Sequence, residues 1–222
     1  LNIWHPKEAK VYKKISPKVT SRILCIAIYV HPGSCVHFVI LGLDDGEVCV
    51  YDLDRNELIK RFLGHTEQVS CVSWAYTNPS PGDTSTSGNN SASPIGIDTP
   101  APFDSEHFHI FSGSKDRSIR IWRFEQANRR RKLKHPRGVA CMAVAKKSLR
   151  TVVVSGCSNG KMFLWDSFDG VLLQVLEGHV AALTSICIWE TEEILIISGS
   201  VDHSIRVVSI YGICMVYKNI YK

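Results

Sequence analysis

A short glycine-containing pattern recurs four times along the chain, and this repeat constrains the fold more than any other feature. The copies are LGLDDGEVCVY (41–51), SGSKDRSIRIW (112–122), SGCSNGKMFLW (155–165) and SGSVDHSIRVV (198–208). Each has glycine second, Asp or Asn fifth, and a largely apolar end. Self-similarity of this kind indicates an array of like units that bury a shared core by stacking on one another.

The spacing of the copies gives the size of one unit. The fifth positions, Asp45, Asp116, Asn159 and Asp202, are 71, 43 and 43 residues apart, and the long interval contains an insertion. Asp45-Gly46 and Asn159-Gly160 favour two-residue hairpins in which both central residues take positive φ. Apolar runs predict further strands at Ile23–Tyr29, Val69–Trp74, Val139–Val144 and Leu183–Ile188 before the hairpins, and at Glu57–Phe62 and Val171–Leu176 after them. Four strands in a unit of about forty residues are typical of a β-propeller blade.

Three motifs make the chain similar to the WD-repeat (WD40) family over nearly its whole length: GH at Gly64-His65 and Gly178-His179, SGSKDRSIRIW, and LWD at 164–166. The resemblance implies an all-β, WD40-type β-propeller, present in part, with four four-stranded blades plus a leading half-blade. We predict a single propeller segment over 1–222, with the end of a preceding blade at 1–15 and blades at 20–63, 64–132, 133–177 and 178–220. Because the chain starts with Leu1 and the half-blade lacks two strands, we expect an open arc from a larger propeller.

The resemblance also assigns a structural role to the polar residues of the pattern. In this family a histidine, a serine or threonine, the turn aspartate and a strand tryptophan form a hydrogen-bonded tetrad. The tetrad of blade 2 is then complete, with His65, Ser112, Asp116 and Trp122. The other blades depart from it: blade 3 has His135, Ser155, Asn159 and Trp165, blade 4 has His179, Ser198 and Asp202 with Val208 in place of tryptophan, and blade 1 keeps only Asp45, with Leu41 and Tyr51 at the other places.

His65, Ser112 and Asp116 are also the residue types of a hydrolase triad. A nucleophile is needed once, on an exposed turn such as G-x-S-x-G, whereas here the pattern recurs with the period of the fold. A carboxylate and an imidazole that satisfy each other's polar groups form a stable buried network. We therefore predict a structural network, no catalytic residue, no enzyme activity, no cofactor and no small-molecule substrate.

The eight cysteines contain no Cys-x-x-Cys pair. Zinc sites and small disulfide scaffolds need closely spaced cysteines. Most of these lie instead in apolar runs such as ILCIAI, VSCVSW and VACMAV, where a free cysteine packs as a small hydrophobe. We expect reduced core cysteines and no metal site. No apolar run approaches the ~20 residues of a membrane-spanning helix, and no secretory signal precedes the apolar runs, which favours a soluble intracellular protein without a membrane partner.

Two segments depart from the repeat. The basic run Arg129, Arg130, Arg131, Lys132 and Lys134, which contributes to the net charge of +5, is typical of a nuclear address or a nucleic-acid patch, and also of a solvated strand edge. Segment 77–106 consists mostly of Ser, Thr, Asn, Gly and Pro. It predicts a disordered loop, with a modified or partner-binding loop as the alternative.

These features favour a non-catalytic interaction scaffold, a WD-repeat platform that binds protein or peptide partners. By resemblance to the family, the candidate partner-binding rim contains Asp44, Gln68 and Lys115. The alternative is direct RNA binding through Arg129–Lys134. No aromatic side chains lie among these arginines to stack on bases, and RNA is kept as a partner bound directly or through other proteins.

Overall fold

In the residues that the computed structural model describes, every regular element is a β-strand. The structure describes residues 2–5, 10–14, 19, 21–30, 37–76, 108–124, 130–147, 150–190, 194–211 and 214–220, and the predicted insertion 77–106 lies outside them. Within the described residues no helix is long and apolar enough to cross a bilayer.

The strands follow the four-strand period of the sequence. They are β1 (Asn2–His5), β2 (Lys10–Lys14), β3 (Ile23–Val30), β4 (His37–Leu43), β5 (Val48–Asp52), β6 (Glu57–Phe62), β7 (Val69–Tyr76), β8 (Phe108–Ser114), β9 (Ser118–Arg123), β10 (Arg130–Lys134), β11 (Val139–Lys147), β12 (Arg150–Cys157), β13 (Met162–Asp166), β14 (Leu172–Leu176), β15 (Leu183–Glu190), β16 (Ile194–Ser200), β17 (Ile205–Tyr211) and β18 (Cys214–Ile220). β1 pairs with β2, and the others form four antiparallel sheets in chain order, β3–β6, β7–β10, β11–β14 and β15–β18.

The four sheets are the blades of a partial propeller. Their first strands pack side by side, β3 on β7, β7 on β11 and β11 on β15. The two ends of this row do not cover each other, because Ile28 on β3 is 59% exposed and Trp189 on β15 is 60% exposed. The predicted all-β, partial-propeller fold is therefore confirmed, and the described blades form an open arc.

The core consists of apolar clusters between neighbouring blades. Blades 1 and 2 share Ile40, Val69, Phe108 and Trp122, and corresponding clusters lie between blades 2 and 3 and between blades 3 and 4. Because these sheets are covered on both faces, the middle strands β5, β8 and β13 are buried along their whole length. Each Å² of apolar surface buried in these clusters stabilises the fold by about 25 cal/mol.

In three of the four copies the second-position glycine makes room for a cysteine of the preceding strand, whereas Gly199 of the fourth copy faces Ser185 Oγ. A Cβ atom on Gly113 would lie 2.6 Å from Cys71 Sγ and 2.7 Å from Val139 Cγ1, and one on Gly156 would lie 2.7 Å from Cys141 Sγ. Burial raises the pKa of the Cys141 thiol to about 12, so it packs as a neutral group. Six cysteines are free, namely Cys25, Cys49, Cys71, Cys141, Cys157 and Cys187, although Cys187 is exposed and does not belong to the core.

The central turns differ from the predicted two-residue hairpins. Gly46 has φ 90° while Asp45 is not among the positive-φ residues, and Leu43 N–H donates to the Glu47 carbonyl at 3.0 Å. This is a three-residue loop, a type I turn followed by a left-handed residue. The prediction was wrong because Asp45 keeps a negative φ, in which its carboxylate accepts a hydrogen bond from Glu47 N–H at 3.0 Å.

We predict that Gly113→Ala lowers the free energy of unfolding by about 1–3 kcal/mol, the usual cost of overpacking a core. The new methyl group would overlap Cys71 Sγ, so Gly113→Ala costs less in a Cys71→Ala background than in the wild-type chain. Chemical denaturation of the four proteins of this double-mutant cycle measures the difference. Equal costs in both backgrounds would show that the thiol is not the obstacle.

Candidate functional site

In blade 2 the structure brings together all four residues of the assigned tetrad. His65 precedes β7, with Nδ1 2.8 Å from Asp116 Oδ2 and Nε2 2.8 Å from Ser112 Oγ. Trp122 Nε1–H donates to Ser112 Oγ at 2.8 Å. Each donor therefore has an acceptor: Trp122 donates to Ser112, Ser112 to His65, and His65 to Asp116. The network joins the entry of blade 2 to its central hairpin.

Burial and hydrogen bonding set the charges of this network. The side chains of His65 and Asp116 are 0% and 3% exposed. Burial lowers the pKa of His65 and outweighs the raising effect of Asp116. Burial alone would raise the pKa of Asp116, but hydrogen bonds from Ser118 and His65 lower it. At neutral pH the pair is thus a neutral imidazole and a carboxylate.

The order of donors and acceptors is that of a serine hydrolase triad, but its surroundings differ. Ser112 is 0% exposed, and its Oγ already accepts the Trp122 N–H. A nucleophile must reach a substrate carbonyl, and this oxygen faces only protein. Among the described residues, moreover, no group of three His, Cys, Asp or Glu side chains is arranged to hold a metal ion.

Blade 4 has the same network without the tryptophan. His179 Nδ1 lies 2.8 Å from Asp202 Oδ2, and Nε2 lies 3.0 Å from Ser198 Oγ. Hydrogen bonds, first of all from Ser204, lower the pKa of Asp202. Val208, fully buried, fills part of the tryptophan's volume but supplies no donor.

Blade 3 uses a different acceptor for its histidine. His135 Nε2 lies 2.7 Å from Ser155 Oγ and 3.1 Å from Trp165 Nε1, while His135 Nδ1 lies 3.2 Å from the Leu133 carbonyl. Asn159 is exposed and accepts from Lys161 N–H in its own turn. Assigning Asn159 to this network was wrong, because a main-chain carbonyl takes the place of the carboxylate.

Blade 1 replaces the network with apolar contact. Leu41, at the serine position, is fully buried in a cluster that includes Val19. Val19 lies six residues before Cys25, as His65 does before Cys71, and this spacing was the signal that sequence reasoning missed. Tyr51, at the tryptophan position, donates instead to Asn56 Oδ1 at 2.6 Å.

One rim of the arc is defined by an equivalent main-chain hydrogen bond in each blade. The bonds run from Asp44 N to Arg22 O (3.0 Å), Lys115 N to Gln68 O (3.2 Å), Ser158 N to Gly138 O (3.3 Å) and Val201 N to Ala182 O (2.9 Å). These eight residues and the adjacent Val180 are called the rim below. The structure thus brings all three predicted rim residues to one end of their blades.

The rim side chains differ from blade to blade. Asp44 is bound by Arg22 Nε at 2.7 Å, and this hydrogen bond lowers its pKa. Lys115 is exposed, with no ion pair to any described residue. Blade 4 presents Val180, 87% exposed, and Val201, 55% exposed, which sequence reasoning did not select. The rim thus passes from an ion pair to a cation, then to small residues, then to an apolar surface.

The basic run is divided by the strand that contains it. Arg129 and the side chain of Arg130 lie outside the described residues. On β10, Arg131, Lys132 and Lys134 are all exposed, and Arg131 Nη1 donates to the Ser167 carbonyl of blade 3 at 3.4 Å. Alternate residues of a strand point to opposite faces, so Arg131 does not share a surface with the two lysines.

Known protein sequences and a family model match the repeated part of this chain. The WD domain, G-beta repeat model (WD40) matches residues 56–123 and 170–209. WD repeat-containing protein pop1 of Schizosaccharomyces pombe is 26% identical over 174 residues, 68% of this chain and 22% of that protein. Gem-associated protein 5 of Homo sapiens is 24% identical over 235 residues, 91% of this chain and 15% of that protein. The matches support the WD-repeat family, although the chain spans less than a quarter of these relatives.

Two solved structures show the same fold. The computationally designed Ika4 protein superposes with a TM-score of 0.62 at 20% identity, over 91% of this chain and 100% of that one. The designed Ika8 protein superposes with a TM-score of 0.59, over 93% of this chain and 51% of that one. At this identity the likeness concerns the fold alone.

We predict that Ser112→Ala lowers the free energy of unfolding by about 1–3 kcal/mol, because it removes the buried hydroxyl that accepts from Trp122 Nε1–H and bonds His65 Nε2. Ser155→Ala is the matched control and costs less, since Trp165 donates to His135 and keeps its acceptor. Denaturant titration of both variants measures the two costs. A hydrolase would behave differently: Ser112→Ala would abolish an activity and leave the stability unchanged.

We predict that stability falls between pH 6.5 and about pH 4 through His135. Burial lowers the pKa of His135 from 6.5 to about 4, so over this range the unfolded chain takes up a proton that the folded chain does not. The contribution is complete above pH 6.5 and is lost by about pH 4, by up to about 3 kcal/mol. Denaturation of wild type and His135→Gln at a series of pH values tests this, and an unchanged slope in the variant would contradict it.

Proposed function

We propose that this chain is a non-catalytic, WD-repeat interaction platform and that its rim binds a peptide or protein surface. The observation that carries the proposal is the contrast in side-chain environment. The Ser and His residues of the tetrads are buried, while Lys115, Val180 and Val201 at the rim are exposed. The polar residues of the repeat hold the hairpins in place. The exposed residues beside them, which differ from blade to blade, are available to contact a partner.

The tetrad makes the rim a rigid surface. Asp116, which bonds His65, directly follows Lys115, and Ser114 Oγ donates to the Glu67 carbonyl at 3.0 Å, next to Gln68. Asp202 in the same way follows Val201 and accepts from Val180 N–H at 3.1 Å. A preorganised surface loses little conformational entropy when it binds.

The charge and polarity of the rim side chains indicate which residues a partner would carry. Lys115 favours an acidic residue, and Val180 with Val201 favours an apolar residue further along the arc. The Asp44 carboxylate is already paired with Arg22, so blade 1 offers a neutral ion pair. We expect an extended peptide with an acidic residue over blade 2 and an apolar residue over blade 4.

The larger protein is proposed from a closer resemblance. Residues 137–179 resemble the C-terminal WD repeats of zinc finger protein 106, a large RNA-associated protein, and 21–28 followed by 41–48 resemble the preceding repeat there. On this ground we propose that the chain is part of a larger RNA-associated protein of the nucleus and/or cytoplasm. Direct RNA binding through Arg129–Lys134 is the alternative, supported by the exposure of Lys132 and Lys134.

The rim is tested with peptides selected on the wild-type chain from a displayed random library. We expect Lys115→Glu to weaken the selected peptides by about tenfold or more, because it places like charges together. Val201→Glu weakens the same peptides through the apolar contact. Lys132→Glu is the matched control, since it makes the same charge change on an outer strand, and it leaves affinity unchanged. Calorimetric titration gives each dissociation constant.

Two results would contradict the rim proposal. Peptides that bind all four proteins equally would place the binding surface elsewhere. RNA binding that falls steeply with salt and is lost in Arg129/Arg130/Arg131→Ala, with no peptide selected, would favour the RNA alternative.

A further inference from the structure

Along the rim, the central turn of each blade lies against the entry of the next blade. A Cβ atom on Gly46, in the turn of blade 1, would lie 2.6 Å from the His65 carbonyl oxygen of blade 2. A Cβ atom on Gly138, at the entry of blade 3, would lie 3.3 Å from Lys115 Cα in the turn of blade 2. Each such junction brings loops from two neighbouring blades together, and their exposed side chains form one surface beside the rim.

The junction of blades 2 and 3 is basic. Lys115 and Arg117, from the turn of blade 2, and Arg137, from the entry of blade 3, are all exposed. The Arg117 carbonyl accepts His135 N–H at 2.8 Å, and His135 stands two residues before Arg137. None of the three cations forms an ion pair with a residue that the structure describes. Three unpaired cations from two blades therefore meet at this junction.

The two loops at this junction, 114–118 and 134–139, contain one carboxylate, and it is buried. The Asp116 side chain is 3% exposed and lies 2.8 Å from His65 Nδ1. The turn of blade 3, which comes next along the rim, has Asn159 at the aspartate position. The cations of this junction therefore face solvent, where an anionic partner can reach them.

The junction of blades 1 and 2 has the opposite charge. Glu67 holds the position in blade 2 that Arg137 holds in blade 3, two residues before the first strand. Glu67 is exposed and forms no ion pair with a described residue. Asp45, in the turn of blade 1, is also exposed, while the Asp44 carboxylate is balanced by Arg22. The net charge of this surface is therefore negative.

The junction of blades 3 and 4 is apolar. A Cβ atom on Gly160 would lie 2.9 Å from the Ala181 carbonyl oxygen, and Ala181 again stands two residues before the first strand of its blade. Val180 beside it is 87% exposed. The charge of Lys161, which follows the turn of blade 3, is balanced by Glu177 at 2.5 Å. Along the arc the three junctions are thus negative, positive and apolar.

We propose that the rim selects its peptide by the order of charges. The peptide places a basic residue at the junction of blades 1 and 2, two adjacent acidic residues at the junction of blades 2 and 3, and an apolar residue at the junction of blades 3 and 4. The inference rests on the proposed peptide-binding rim and adds to it the basic position and the second acidic residue. Neighbouring sheets pack about 10 Å apart and an extended chain rises about 3.3 Å per residue, so about three residues separate one position from the next.

The exposed charges give selectivity more than affinity. Three cations at one junction attract two carboxylates more strongly than one. An acidic residue beside Glu67, or a basic residue beside Arg137, meets a like charge and is repelled, and specificity commonly depends on such repulsion. A peptide of the right composition in the wrong order therefore meets like charges at two junctions.

Peptides selected on the wild-type chain from a displayed random library test the order of charges. We expect them to share the order basic residue, acidic pair, apolar residue at this spacing. For each selected peptide, a synthetic version with the basic residue and the acidic pair exchanged has the same composition. It binds about tenfold more weakly or worse in calorimetric titration, because like charges then meet at two junctions.

Charge reversal in the chain tests the assignment of each junction. Glu67→Arg weakens the selected peptides by about tenfold, and changing their basic residue to Glu restores the affinity. Arg137→Glu also weakens them, but the same change in the peptide does not restore the affinity. Glu57→Arg and Lys132→Glu make the same charge changes away from the rim and leave affinity unchanged. Among the described residues Glu67 and Arg137 contribute only main-chain atoms to hydrogen bonds, and circular dichroism verifies that both variants fold.

The outcomes separate the order of charges from the rim itself. Peptides that tolerate the exchange of their charges, but are lost in Lys115→Glu and Val201→Glu, overturn the charge order and leave the rim as the binding surface. Peptides that bind every rim variant equally contradict both the charge order and the proposed rim, and so does a library that yields no peptide.

Discussion

The buried histidine network at the start of a blade is the interaction on which the rest of the structure depends. It connects two segments far apart in sequence, the loop before the first strand and the turn between the second and third. All its polar groups lie out of water, so leaving one unpaired is costly, while the complete set is stable. The same network holds the turn residues that form the rim. The proposed binding surface therefore depends on the hydrogen bonds that also stabilise the fold.

The network is replaceable, and each blade shows a different replacement. Blade 3 substitutes a main-chain carbonyl for the carboxylate, blade 4 substitutes a valine for the tryptophan, and blade 1 replaces the polar set with packed aliphatic side chains. Swapping a buried polar group together with its partner costs little, whereas removing one alone costs much. A blade that lacks one polar residue of the network therefore also lacks its partner, as blade 1 does with Val19 at the histidine position and Leu41 at the serine position.

Two surfaces of the arc have different chemistry. The rim side chains differ from blade to blade, while the main-chain hydrogen bonds that define the rim are the same in all four blades. The outer edges are constrained, since an unpaired strand must be charged, covered or paired. β10 meets this demand with lysine and arginine, and the basic run is therefore explained by its place at an edge whether or not it binds a nucleic acid.

The sequence by itself determined the repeat and its four-strand units, because these depend on local periodicity. The tetrad of blade 2 was assigned through the resemblance to the WD-repeat family, whose residue types stand at the matching positions. The sequence could not give the turn geometry at Asp45-Gly46, where the hydrogen bond from Glu47 to the aspartate decides φ. It also could not show that His135 bonds the main-chain carbonyl of Leu133 and not the side chain of Asn159. Nor could it show that Arg131 and Lys132 point to opposite faces of β10, or that the outer strand β14 carries no charge. Those facts depend on which atoms the packing of neighbouring blades brings together, and only the tertiary structure decided them.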